Sequence, residues 1–356
     1  MAEHTASGYK TVSIQNRRYL GNKYKLLPFI TRVVREQGLE VGSFADLFAG
    51  TGAVSSAFQD KRLITNDLLY SNYICNCAWF GPESFRQERI VSLVESYNAA
   101  GDCDSNYMTE HFADTYFSRE DCSKIGFIRE DIERQFLEGR LNRRERAILI
   151  TSLLYAMDRI AKTCGHYDAY RRGAVFDGRL ELAVPAVFSH NHPENQCFHQ
   201  DANRLAGTIQ ADLVYLDPPY NSRQYSGAYH LLENVALWEK PRVFGVARKM
   251  DRTALKSRYC TREAGAAFAE LIRDVRAKYI LLSYNNMAEK GNVRSNAKLS
   301  DEEILCILRE KGDVQVFSEE YRAFTAGKSE ISGHQERLFL CECHGENAGT
   351  PKRVPK

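Results

Sequence analysis

The residues best equipped for chemistry stand together at positions 217–220: Asp217, Pro218, Pro219 and Tyr220, directly after the apolar run Leu213, Val214, Tyr215 and Leu216. Each proline fixes its own φ, lacks a backbone donor and pushes the preceding residue toward extended geometry, so a turn is the plain structural reading. A functional reading asks more of the same four residues. A buried strand that ends in a stiff corner presents one carboxylate, one bare carbonyl and one aromatic face side by side. Local sequence leaves both readings open, and the rest of the chain has to decide between them.

A second group lies near the front, where Asp46, Phe48, Gly50 and Gly52 share one short stretch and Asp67 follows it. Glycines at a strand-to-helix turn let a ligand approach the backbone closely. The pattern is not GxGxxG and no Walker lysine follows, which makes a dinucleotide or nucleoside triphosphate less attractive than an adenosine cofactor without phosphates. S-adenosylmethionine fits: Asp46 can attract its amino or sulfonium charge, Asp67 can accept from its ribose, and Asp201 can accept from its adenine amine. Any one of these acids could simply cap or solvate a strand end. The three together, at successive strand ends, converge on one edge of a sheet.

The elements that must position these groups read as α/β. An extended run at 44–48, helix-compatible sequence at 53–59 and a strand at 62–67 make a β-α-β unit. Further strands are expected at 195–201, 211–217, 278–286, 313–321 and 336–343. Strands thus cluster toward the two ends, and 74–194 reads as mostly helical. The clearest helix there, within 141–163, carries an apolar stripe through Leu149, Leu153, Ala156 and Ile160, as expected of a core-facing helix. After Gly165 ends it, Tyr167, Tyr170, Arg171 and Arg172 crowd a loop. That loop is either merely solvated or an element that touches nucleic-acid backbone and bases.

With 356 residues, 44% of them apolar, the chain suits one large domain with an insertion, or two domains. Lys plus Arg number 48 against 46 Asp plus Glu, so a nucleic-acid partner would have to be held by a local patch. The ten cysteines include no CxxC, so neither a disulfide framework nor a metal site is expected. No apolar run approaches the roughly 18 residues of a membrane helix and no signal peptide is visible, which reads as a soluble cytoplasmic protein. About fifteen residues at the front and the stretch 345–356 read as tails.

With these residues placed, the sequence resembles the adenine-specific DNA methyltransferases of the alpha, or Dam-like, class. "RRYLGNKYKLLPFI" looks like that family's N-terminal cofactor motif through Tyr19, Gly21 and Lys23, although tryptophan is frequent where Tyr19 stands. "DLFAGTG" resembles its F-x-G-x-G motif, "ITND" its ribose acid, "FHQDAN" its adenine-binding strand end with Asp201 and Ala202, and "DPPY" its catalytic tetrapeptide, in the family's order. "SEISGHQERLFLCE" resembles the closing strand. The resemblance implies a Rossmann-like S-adenosylmethionine-dependent sheet formed by 1–74 and 195–345. It also implies a helical target-recognition domain at 75–194, with a flexible tail at 346–356.

It further implies direct methylation of the N6 amine of a flipped adenine in double-stranded DNA, in a restriction-modification or orphan role; the lone catalytic motif set suggests one methylation event per binding, which a monomer can perform. A restriction endonuclease acting separately is the companion expected in the first case. Adenine's exocyclic amine is a poor nucleophile because its lone pair is delocalised. Asp217 and the Pro218 carbonyl can each accept one amine hydrogen while Tyr220 stacks on the extruded base. Arg223, Tyr225 and Tyr229 could line the entrance or hold phosphate, or be ordinary surface residues. Cytosine-N4, RNA-adenine and protein-glutamine methylation use related tetrapeptides. A non-catalytic DNA-binding subunit would show damaged motifs, whereas Gly50, Gly52, Asp67, Asp217 and Tyr220 are all present.

Overall fold

The computed structural model describes residues 3–4, 9–101, 103–285, 298–320 and 335–345. Seven strands form its main sheet: β3 (Ser43–Asp46), β4 (Arg62–Asn66), β6 (Gln196–Phe198), β7 (Ala211–Leu216), β8 (Ala277–Asn285), β9 (Gly312–Glu320) and β10 (Gln335–Cys343). The order across the sheet is β6-β4-β3-β7-β8-β10-β9. Neighbours from β6 to β8 are parallel, and β10 runs antiparallel to both β8 and β9. This is a Rossmann-like doubly wound sheet with one reversed strand. The chain winds outward from β3 through β4 to β6, then returns to lay β7 on the other side of β3. The crevice beyond the ends of β3 and β7 is therefore the topological switch point, where open α/β sheets bind ligands.

Why these strands form is written in alternation. Phe44, Leu63, Leu213, Tyr215 and Leu281 enter one apolar core, and Ala45, Ile64, Val214, Leu216, Ile280 and Leu282 enter a second. Successive side chains of a strand point to opposite faces, so the strands separate two cores and read as continuous apolar runs. On the first face pack α1 (Leu27–Glu36), α2 (Tyr70–Phe80), α3 (Gln87–Ala99), α4 (Tyr107–Phe112), α5 (Arg119–Leu137) and α6 (Arg143–Ile160). The second face carries α7 (Ala202–Ala206). After β7 come α8 (Tyr225–Ala228) and α9 (His230–Leu237) on the first face, then α10 (Ala264–Asp274) and α11 (Asp301–Arg309) on the second.

Several expectations need correcting. The stretch 53–59 forms a short 3₁₀ turn at Ser55–Phe58, because Ser55 and Ser56 turn their hydroxyls onto Asp46 and the Ala53 carbonyl. The front of the chain is not all tail: β2 (Lys10–Val12) pairs with β1 (Glu3–His4) and with β5 (Val184–Pro185), and Val12 is in the core. Helix α6 is buried from Arg144 to Met157 at every position but the half-buried Arg146, rather than along one stripe, since α2, α3, α5 and α9 pack around it. Helix α2 runs across position 74/75, where the inserted segment was expected to begin. The stretches 329–334 and 346–356, read as part of the closing motif and as a tail, lie outside the described residues, as do Asn286 and Tyr321 at two expected strand ends. Among the described residues no helix is long and apolar enough to cross a membrane.

Candidate active site

Three strand ends are stitched together by one side chain. Asn66, at the end of β4, donates to the carbonyls of Leu47 (3.0 Å) and Gln200 (3.1 Å) and accepts from the Gln200 amide (3.1 Å). This holds the ends of β3, β4 and β6 in register, and with them the acids that follow. Asp67 accepts from the amides of Gly50 (2.8 Å) and Leu69 (2.8 Å). A carboxylate has about four acceptor sites, so capacity remains for a ligand hydroxyl. Burial raises its affinity for a proton, partly offset by these bonds. Asp201 caps α7 through the Asn203 amide (2.8 Å) and lines the cleft with Ala202.

The cleft holds about 830 Å³ of empty space including its mouth, with Phe48, Asp67, Asp201, Ala202, Asp217 and Tyr220 among its walls. A smaller cavity beside it is lined by Tyr19, Lys23, Asp46, Phe48 and Asp217. Asp46 is fully enclosed there: Oδ2 accepts from Ser55 (3.0 Å), while Oδ1 has no protein partner. Burial pushes its carboxyl up to about 8, against the Ser55 bond. At neutral pH that burial favours the protonated acid, so a cationic ligand reaching the unpartnered Oδ1 would bind together with ionisation of Asp46.

At the corner itself Lys23 reaches Asp217 at 3.0 Å and lies 5.9 Å from the centre of the Tyr220 ring. Burial pushes Asp217 up to about 6, although the Lys23 ammonium pulls the other way. Burial works against the Lys23 charge too and is the largest single influence, but Asp217 together with Glu336, Tyr215 and Tyr220 outweighs it and holds the ammonium above its ordinary range. Lys23, expected on the cofactor, is thus paired with Asp217, while its cavity also borders Asp46. Tyr220 is positioned from two sides, its ring edge on Tyr284 and its carbonyl accepting from the Lys298 amide at 2.8 Å. Pro218 and Pro219 complete the wall.

The two glycines, expected to let a ligand approach the backbone, are also fitted closely against protein neighbours. Gly50 (φ +53°) lies under the Tyr19 ring, 3.2 Å from where a β-carbon would sit. At Gly52 (φ +85°) a β-carbon would come within 2.6 Å of Asn76 and 2.7 Å of Phe80. Both fit the loop to its neighbours, which leaves Leu47, Phe48, Ala49 and Thr51 to face the cavities.

Among the proposed DNA-contacting residues the structure draws a sharp division. Tyr167 is 2% exposed; its hydroxyl donates to Asp158 (2.8 Å), and its carbonyl accepts from Tyr116 (2.8 Å) and bonds His230 (2.9 Å). It is a core residue and cannot touch DNA in this fold. Tyr170 is half-buried, edge-on to Tyr116. Arg171, Arg172 and Arg223 are exposed. Tyr225 lines the cleft and stacks on Tyr19, which stacks in turn on buried Tyr229 at 4.6 Å. Behind Tyr19 and Tyr229 lies the buried Arg17, 3.5 Å from Asp158 and donating to Asn72, which donates to the Tyr19 hydroxyl. Sequence reasoning missed Arg17, Asn66, Asn72 and Asp158. Only Asn66, beside Asp67 at a strand end, carried a local signal.

Strand order and a switch-point cleft bordered by a proline corner define a ligand-binding Rossmann-like sheet. Residues 19–294 match the family described as D12 class N6 adenine-specific DNA methyltransferase, and the chain belongs to that family. Type II methyltransferase M.FokI of Planomicrobium okeanokoites is 32% identical over 350 residues, covering 91% of this chain and 52% of the relative. Modification methylase StsI of Streptococcus sanguinis is 34% identical over 324 residues, covering 82% and 46%. Against these the chain spans about half the relative's length. It spans 95% of Type II methyltransferase M.NlaIII of Neisseria lactamica, at 32% identity over 332 residues and 89% of this chain.

Proposed function

We propose that the protein transfers a methyl group from S-adenosylmethionine to the N6 amine of an adenine flipped out of double-stranded DNA. The observation that carries this reading is the placement of Asp217 and Tyr220 on the same cleft as Asp67 and Asp201, with the half-satisfied Asp46 in the adjoining cavity. The residues fit the cofactor by donor chemistry: Asp46 for a cationic centre, Asp67 for ribose hydroxyls, Asp201 and Ala202 for the adenine end, and Tyr19 and Phe48 for apolar contact. When bound, the cofactor supplies an electrophilic methyl group. Asp217 accepts a hydrogen bond from the amine and so returns electron density to nitrogen. The Pro218 carbonyl accepts the second, and Tyr220 stacks on the base. Lys23 keeps Asp217 ionised in a site whose burial favours the protonated form.

Helices and loops within 75–194 contribute target recognition, and Arg171, Arg172 and Arg223 bind phosphate. The protein acts as a monomer in the cytoplasm, as the modification half of a restriction-modification pair or on its own. The test is incubation with labelled S-adenosylmethionine and separate DNA, RNA and protein acceptors, followed by nucleoside digestion. Label in N6-methyldeoxyadenosine is the expected result. Label in RNA, in protein or in cytosine overturns the substrate assignment.

A further inference from the structure

After α9 the chain makes a turn that no step above uses. Phe244 and Lys249 exchange backbone hydrogen bonds (2.8 and 3.0 Å), and Gly245 and Arg248 close the turn between them with positive φ. Phe244, in the closing pair, is 58% exposed and Val246, between the pair, 63%. Single exposed apolar side chains are ordinary, but here two share one short turn in a basic setting. From 239 to 257 the sequence holds six basic residues, Lys240, Arg242, Arg248, Lys249, Arg252 and Lys256, against two acids, Glu239 and Asp251. Arg242, Arg248 and Lys256 are exposed, and the Arg242 guanidinium lies 5.8 Å from the Phe244 ring centre.

The base of the turn is rigidly held. The buried Tyr116 hydroxyl, whose one hydrogen is shared between the Tyr167 and Ala247 carbonyls, lies 2.9 Å from the latter, Lys249 pairs with Asp168 (2.7 Å), and Met250 is buried. Asp168 lies against Gly227 of α8, the helix whose first residue, Tyr225, lines the cleft. Gln224 bonds both the amide and the carbonyl of Ser257 (2.8 and 3.0 Å), joining the far end of the segment to the catalytic loop. A groove lined by Gln224, Ser226, Phe244, Lys249, Arg252 and Lys256 shares Gln224 and Ser226 with the cleft. An apolar pair on a fixed base, ringed by cations and joined to the catalytic cleft, matches what opening a stacked polyanion requires. Apolar wedges unstack bases while basic residues hold the flanking phosphates.

We propose that the 244–249 turn is the wedge that opens the duplex. Phe244 and Val246 enter the base stack where the target leaves it, and Arg242, Arg248 and Lys256 grip the phosphates beside the gap. This rests on the adenine-methylation reading. The test compares the unsubstituted protein with the Phe244→Ala/Val246→Ala variant on two duplexes, one fully paired and one with the target adenine opposite an abasic site. Because both side chains are exposed, the variant should keep the thermal midpoint of the parent.

On the paired duplex kcat/KM should fall roughly 10- to 100-fold, and on the pre-opened duplex it should stay within about threefold of the parent. Equal loss on both substrates would sink the wedge and leave a general DNA-contact surface. No loss on either would assign the apolar pair to a protein contact instead. Should the unsubstituted protein methylate neither duplex, the methylation reading itself fails, a pattern distinct from loss confined to the variant.

Discussion

At the scale of single residues the decisive pair is Lys23 and Asp217. Catalysis in the proposed form needs Asp217 ionised, and burial has pushed it up to about 6. The sign follows directly: above that pH the carboxylate accepts from the amine, and below it the proton occupies the same lone pair. The acid limb of kcat/KM should therefore fall tenfold per pH unit below about 6. Lys23→Met removes the nearest counter-charge, so the limb should move to higher pH in the same profile; an unmoved limb would show that another group sets it. Asp217→Ala should lower kcat by roughly 10²- to 10⁴-fold while titration with S-adenosylhomocysteine gives near-parental affinity. Lost affinity as the main defect would place Asp217 in cofactor binding instead.

At the scale of elements the site depends on how closely loops meet helices. The turn after β3 approaches α2 so tightly that Gly52 has no room for a β-carbon. Gly52→Ala combines a left-handed backbone penalty with overpacking against Asn76 and Phe80, about 2–5 kcal/mol together. Urea unfolding should show that loss as a lower midpoint at unchanged slope. Strand β7 illustrates what was legible at this scale. Its unbroken apolar run reads as a strand buried on both faces, and Pro218 and Pro219 mark its end because neither can continue a ladder. Helix α6 illustrates what was not. Its sequence has a stripe, yet its other faces also lie against helices distant in sequence, which no local periodicity records.

At the scale of the whole molecule one core ties the helical segment to the sheet. Residues of α1, α2, α5, α6 and α9 join Phe44, Leu213 and Tyr215 in a single apolar cluster. Calorimetry should accordingly give one unfolding transition, and deletion of 75–194 should leave a chain that does not fold, as the first face of the sheet would lose its cover. Two separated transitions would show that the segment folds independently. The net charge is only +2, so the proposed binding of DNA requires a local basic surface. Affinity measured between about 50 and 200 mM salt should fall linearly on logarithmic axes, with a slope counting the phosphates engaged. Salt-insensitive binding would exclude that mode.

The amino-acid sequence alone determined the strand ends and the order of the acids upon them. Backbone preference, apolar runs and proline corners are local properties, and in a parallel sheet strand ends converge on one edge whatever lies between. It also carried the motif order through which the family was recognised. Only the tertiary structure decided that Lys23 stands beside Asp217, that Tyr19, Tyr225 and Tyr229 form one aromatic wall, and that Tyr167 is sealed on Asp158 rather than offered to DNA. Each of these joins residues from separate elements. Burial and pairing are set there by which helices share a face of the sheet, and a side chain's own sequence neighbours hold no record of that.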